Sequence, residues 1–265
     1  MALRFHHKPG LVVYLTAGDP SIEATRDIAL AAIDAGADVI ELGVPFSDPL
    51  ADGPVIQRAS ERAVARGTRL RDVLAIAREI RTARPDAGLV IFSYLNPILR
   101  YGLGRFATDA AAAGADGVLA TDLIVEEAAE YLAELSRANL APVFLAAPTS
   151  PDERLKAIAE HSQGFVYAIS RVGITGTQKS VASDAASLVA RIRRWTGLHG
   201  EGLPVAVGFG ISNAEHFAQV AEFADAAVIG SAIVELIEKS EPDQAADAVA
   251  RFIKGLRVPH AALAR

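Results

Sequence analysis

The sequence predicts an α/β protein, a single-domain (β/α)8 TIM barrel over residues 1–265, and three observations carry that prediction. Eight short apolar, β-rich runs recur along the chain. Amphipathic segments of helical period separate them, and one short pattern repeats before three of the runs. The runs are 11–16, 37–42, 88–93, 116–120, 141–146, 164–170, 204–207 and 225–229. They are nearly continuous in apolar residues, as strands covered on both faces must be. Segments such as SIEATRDIALAAIDAG and VEEAAEYLAELSRAN supply the helices between them. The repeat reads DAGADVIELGV at 34–44, AAAGADGVLATD at 111–122 and AEFADAAVIGS at 221–231. Each closes a helix, gives Ala-Asp, runs into an apolar strand and ends at Gly, Thr or Ser, the plan of a βα unit. An open Rossmann-like sheet is the alternative, weakened because no G-x-G-x-x-G follows the first run.

Two intervals between runs are longer than the rest, those after 37–42 and after 164–170. Both begin with loop-forming Gly, Pro, Asp or Thr directly behind the strand. In a barrel that is the carboxyl face, where chemistry is carried out. The composition narrows the chemistry. The chain has 265 residues, 51% hydrophobic and 22% charged, with a formal charge of −6 and no cysteine. Disulfides, thiolate metal sites and cysteine nucleophiles are excluded, and an acidic field disfavours nucleic acid. MALRFHHKPG has no apolar signal core, and no apolar run approaches the roughly 18 residues of a membrane span, so a cytoplasmic location is expected.

The second run leads into VIELGVPFSDPLADGPVIQ, residues 39–57. Glu41 stands inside an apolar strand and shares a face with Val39 by alternation. A buried carboxyl group is costly to ionise, and one held near neutrality suits a general acid that later acts as a base. Capping of backbone N–H groups, or pairing with a hidden Lys, is the alternative role. Asp52 precedes Gly53-Pro54, where Pro54 can open a helix, so Asp52 reads either as that helix's cap or as part of an acidic loop with Asp48. His6, His7, His161, His199, His216 and His260 fall in the tail, in helices or in turns leading into strands. No Ser–His pair and no metal site can be read, which leaves carboxylates as the acid–base groups.

A second cluster is rich in glycine. ISRVGITGTQ (169–178), VGFGIS (207–212) and IGSAI (229–233) end three consecutive runs. Barrels bind phosphate between their last two βα loops and the N-terminus of a short helix, through backbone amides that need no Lys. Gly210, Gly230 and Ser231 are placed for that, so a phosphorylated substrate is expected.

With these residues in view, ELGVPFSDPLADGP (41–54) resembles the signature of the tryptophan synthase alpha subunit family. YLTAGDP, SYLNPILRYG, YAISRVGITG, VGFGIS and GSAIVELI follow in the family's order over nearly the whole chain. The resemblance implies a lyase that splits indole-3-glycerol phosphate into indole and glyceraldehyde 3-phosphate. It implies that Glu41 is the principal acid–base group and that Asp52 holds the indole N–H. It also places Tyr167 beside Glu41, Thr175 in a loop that closes on substrate, and Tyr14 and Phe209 at the substrate. Gly176, Gly210, Gly230 and Ser231 would bind the phosphate. No metal or cofactor belongs to this chain on that reading. Its partner would be a pyridoxal-phosphate-carrying beta subunit in an alpha2-beta2 complex, docked on Pro45, Asp48 and Asn96. A stand-alone lyase of the same fold and a non-catalytic phosphate-binding barrel are the alternatives. Three departures accompany the match. The leading helix that closes the barrel bottom in the family is short or missing, Ile124 stands where proline is usual, and Tyr14 replaces a common Phe.

Overall fold

The computed structural model of the chain describes residues 3–169, 178–197, 202–208 and 210–257. In chain order these form β1 (Gly10–Thr16), α1 (Ile22–Asp34), β2 (Val39–Gly43), α2 (Pro54–Ala65), α3 (Leu70–Ala83) and β3 (Gly88–Ser93). Then come α4 (Leu95–Tyr101), α5 (Leu103–Ala112), β4 (Gly117–Ala120), α6 (Ala129–Arg137), β5 (Ala141–Pro142), β6 (Leu145–Ala146), α7 (Asp152–His161) and β7 (Val166–Ile169). The chain ends with α8 (Gln178–Thr196), β8 (Val205–Gly208), α9 (Ala214–Ala221), β9 (Ala226–Ile229), α10 (Ser231–Lys239) and α11 (Ala245–Leu256).

All the strand pairings are parallel, in the order β5-β4-β3-β2-β1-β9-β8-β7-β6. Both ends of that series belong to one stretch, residues 141–146. Its first half pairs with β4 and its second with β7, and Val143 N and Phe144 O continue the two ladders to Val118 O and Tyr167 N. The sheet therefore closes on itself through the fifth strand, as the eight apolar runs predict. The long interval after the second strand holds two helices, α2 and α3.

Alternation sorts the strand side chains into two layers. Leu11, Val13, Ile40, Leu42, Leu89 and Ile91 face outward and pack beneath the helices. Val12, Val39, Val90, Leu119, Val143, Phe165, Ala206 and Val228 fill the interior. Leu3 joins that interior layer with Phe5 packed against it, although residues 3–9 form no helix. Phe5 lies 5.7 Å from the ring of Phe165. At Gly164, whose φ is +78°, a Cβ would lie 2.7 Å from Leu3 Cδ1, so the seat for Leu3 needs that glycine. Residues 3–9 thus help close the barrel bottom without forming a helix. Leu3→Ala is expected to cost about 2–3 kcal/mol by urea unfolding, as a buried leucine truncation does. An unchanged midpoint would mean that the segment does not seal the core.

The Ala-Asp repeat has a physical cause. Asp38, Asp116 and Asp225 each precede a strand and accept, through Oδ2, a backbone N–H from the first or second residue of the preceding strand. The pairs are Leu11 N at 2.8 Å, Leu89 N at 2.9 Å and Val205 N at 2.9 Å. Each aspartate's own N–H returns to the carbonyl of that same residue. Arg257, Arg81 and Arg193 respectively complete the three sites with ion pairs. Strand-opening amides at the closed end of the barrel would otherwise be buried without partners.

Candidate active site

Glu41 is the third residue of β2, in register with Tyr14 of β1 and Val90 of β3. It is wholly buried, and neither Oε1 nor Oε2 has a hydrogen-bond partner among the described residues. The two structural roles open to it, capping backbone amides or pairing with a lysine, are therefore absent there. Burial alone pushes its carboxyl group up to about 8, so it is mostly protonated at neutral pH.

Asp52 sits at the end of the loop that leaves β2. Gly53 is the residue that caps α2, no side chain bonds into that helix end, and Pro54 opens the helix. Asp52 is thus not the cap. Its Oδ2 instead accepts a hydrogen bond from Tyr94 Oη at 3.1 Å, while Gln57 Nε2 donates to the Asp52 carbonyl at 2.9 Å. Partial burial raises its carboxyl group to about 6, against the lowering effect of the Tyr94 hydrogen bond. Two carboxyl groups of ordinary type are in this way pushed to opposite sides of neutral pH.

Two tyrosines line the same mouth. Tyr14 is buried, edge-on to Phe92 at 5.1 Å, and its hydroxyl accepts a long 3.5 Å contact from Thr16 Oγ1. The extra oxygen at position 14 therefore has a protein partner and does not reach solvent. Burial, followed by the charge of Asp52, holds its phenol far above the ordinary range. Tyr167 is held up in the same way, by burial and then by the charge of Glu41. Both rings lie where strand side chains are missing. A Cβ on Gly43 would come within 2.2 Å of Tyr14 Oη, and one on Gly208 within 2.7 Å of Tyr167 Oη. Glu41, Asp52, Tyr14 and Tyr167 are thus brought together.

The ladder between β8 and β9 pairs Gly208 with Val228, so Gly210 and Gly230 leave adjacent strand ends. Gly210 has φ +42°, which favours glycine, and is exposed. Gly230 caps α10 without a side-chain hydrogen bond, and Ser231, the first residue of that helix, is exposed. No side chain caps the opening amides of α10, and a helix start of that kind can receive an anion. Thr175, Gly176 and Phe209 lie outside the described residues. No group of three or more His, Asp or Glu placed to hold a metal ion occurs among the described residues.

Pro45, Asp48 and Asn96 line one groove of about 800 Å³ with Phe46, Pro97 and Arg100. Pro45 is buried, whereas Asp48 and Asn96 are exposed. Large apolar side chains stand in solvent on the same rim: Leu50 at 93%, Leu99 at 54% and Ile124 at 46% exposure. They follow β2, β3 and β4. Two polar residues of the mouth escape a reading of the sequence. Tyr94 directly follows the third apolar run, a position that could have marked it. Thr121 follows β4 on the face of Leu119, and its hydroxyl is buried with no partner among the described residues.

The chain matches the family model described as tryptophan synthase alpha chain over residues 1–261. It is 51% identical to the tryptophan synthase alpha chain of Solibacter usitatus over 238 residues, covering 90% of this chain and 87% of that protein. It is 47% identical to that of Geobacter sulfurreducens, with 96% and 94% covered. Among solved structures, it superposes on tryptophan synthase from M. tuberculosis in its aminoacrylate-bound form with a TM-score of 0.83. That pair is 38% identical, with 94% of each chain covered. Tryptophan synthase subunit alpha from Legionella pneumophila gives a TM-score of 0.83 at 37% identity, with 94% and 91% covered.

Proposed function

Because this chain belongs to the tryptophan synthase alpha chain family, we propose that it cleaves indole-3-glycerol phosphate with Glu41 as acid and base and Asp52 as the partner of the ring nitrogen. The observation that carries this reading is the burial of Glu41, with both carboxyl oxygens free of partners among the described residues. A protonated Glu41 can give its proton to the ring carbon that bears the glycerol phosphate chain. The ring then carries positive charge, which a charged Asp52 beside the N–H stabilises in a site shielded from water. Glu41, now a carboxylate, takes the proton of the neighbouring hydroxyl. The carbon–carbon bond breaks, its electron pair returns to the ring as indole, and the other carbon becomes the carbonyl of glyceraldehyde 3-phosphate. Glu41 ends protonated, ready for another turnover.

The substrate phosphate would lie on the amides of Gly210 and Gly230 and on the Ser231 hydroxyl, with Gly176 and Thr175 closing over it from the loop after β7. Tyr14, Tyr167 and Phe209 would wall the substrate pocket. A beta subunit, the family's partner and the carrier of pyridoxal phosphate, would dock on the groove of Pro45, Asp48 and Asn96, where Leu50, Leu99 and Ile124 offer apolar surface. We take the assembly to be alpha2-beta2 and the reaction to be cytoplasmic. Among the described residues no helix is long and apolar enough to cross a membrane.

The test is indole release from indole-3-glycerol phosphate, followed across pH with and without the cognate beta subunit. Glu41 must start protonated and Asp52 charged, so kcat/KM is expected to fall below about pH 6 and above about pH 8. Adding the beta subunit should raise turnover many-fold. Absence of indole under both conditions would overturn the assignment, and full activity with no response to the partner would favour a stand-alone lyase.

A further inference from the structure

We propose that Tyr94 is the positioning residue for Asp52, donating its phenolic proton to the carboxylate while the Ala51 amide pins its oxygen, an inference that rests on the reading of Asp52 given above. A phenol has one proton to give and lone pairs to receive. Ala51 N donates to Tyr94 Oη at 2.9 Å, and Oη lies 3.1 Å from Asp52 Oδ2. With the oxygen engaged by a backbone donor, the proton is free to point at Asp52. The pair then has a fixed direction, in which the carboxylate is the acceptor and its charged form is favoured.

The ring packs against one neighbouring loop, and the backbone around it is held by two further side chains. Tyr94 is 5% exposed, and Phe46 from the loop after β2 packs against it at 5.1 Å. Asp122, after β4, accepts the Leu95 N–H at 2.7 Å, and Ser93 Oγ donates to the Tyr94 carbonyl at 2.8 Å. The loop it grips is otherwise open to solvent, since Ala51 is exposed and Leu50 almost fully so. One phenol thus fixes two consecutive residues of that loop, the amide of one and the carboxylate of the next. Gln57 supplies the other anchor, through the carbonyls of Pro49 and Asp52.

The titratable groups facing Asp52 are Tyr14 from β1, Tyr167 from β7 and Tyr94 itself, and Glu41 acts on the first two from β2. Tyr94 also feels Asp122. None of these brings a positive charge. Tyr94 is the one side chain hydrogen-bonded to the Asp52 carboxylate among the described residues, and it opposes the upward push of burial.

The experiment measures kcat/KM for indole release between about pH 5 and pH 9 for the parent, Tyr94→Phe, Asp52→Asn and the double variant. Phenylalanine keeps the ring against Phe46, so thermal unfolding should stay near that of the parent. Tyr94→Phe is expected to move the acid limb upward by about one pH unit, a deficit of about tenfold on the acid side, and to leave the alkaline limb in place. Asp52→Asn should lack the acid limb, and the double variant should match it. A uniform loss in Tyr94→Phe with neither limb moved would reduce Tyr94 to a packing residue and overturn the inference. An acid limb that survives in Asp52→Asn would instead remove Asp52 from its role, and this inference with it.

Discussion

Glu41→Gln is expected to lower kcat for indole release by about 10²–10⁴-fold while the chain still binds a phosphorylated ligand within a few-fold of the parent. Glutamine keeps the size and the buried position of the side chain but can neither give a proton to the ring nor take one from the hydroxyl. Both halves of the cycle are lost together, whereas the proposed phosphate site at Gly210, Gly230 and Ser231 follows other strands and is left in place by the substitution. Stability adds an independent check. Burial raises Glu41 above its ordinary value, so the folded chain favours the protonated form. The contribution of this group to stability is complete below the usual carboxylate range and declines as pH rises towards about 8. The variant has no such proton to lose. Above that pH it should unfold at a higher denaturant concentration than the parent. A variant that turns over at the parental rate would remove Glu41 from the mechanism, whatever its stability.

The other large effect is expected at the opposite end of the barrel. Asp38→Ala should cost about 3–5 kcal/mol, a large share of the roughly 5–15 kcal/mol that separates a folded protein from its unfolded chain. The Asp38 side chain is fully buried and receives His6 N, His7 Nδ1, Leu11 N and Arg257 Nη2. Its loss would leave the Leu11 amide near the start of β1 without its carboxylate acceptor, and a half-buried guanidinium without its ion-pair partner. It would also release the segment that seats Leu3. Urea unfolding reads the loss directly, and turnover per folded molecule should be unchanged because the reacting groups sit at the other rim. A midpoint equal to that of the parent would mean that the Ala-Asp pattern is not a structural bracket.

The barrel was legible because its strands are uniformly apolar and its helices amphipathic, signals that need only neighbouring residues. The differences arise where a partner comes from far along the chain. The second strand begins at Val39 and not at Ala37, because Asp38 is spent on the amide of Leu11. The fifth run breaks into β5 and β6, since closure makes its two halves pair with different neighbours. The seal by Leu3 and Phe5 has no periodic signature at all; it exists only where Gly164 and its neighbours leave room. In the site, Glu41 stood out because a carboxylate inside an apolar strand is costly. Asp52 could not be told from a helix cap by sequence, since what separates the two roles is a phenol 42 positions away. Tyr94 sat in a quoted motif whose Asn96 drew attention, and nothing local announces that a hydroxyl reaches back to an earlier loop.

The glycines under Tyr14 and Tyr167 bear on how this pocket can be altered. Space at the mouth is made by withholding Cβ atoms at positions 43 and 208, and each vacancy is taken up by one aromatic hydroxyl. A methyl group at either position would strike that hydroxyl and force the ring to move. Enlarging the pocket for a bulkier ring must therefore begin by trimming the tyrosines, and the backbone beneath them is already as slender as a polypeptide allows.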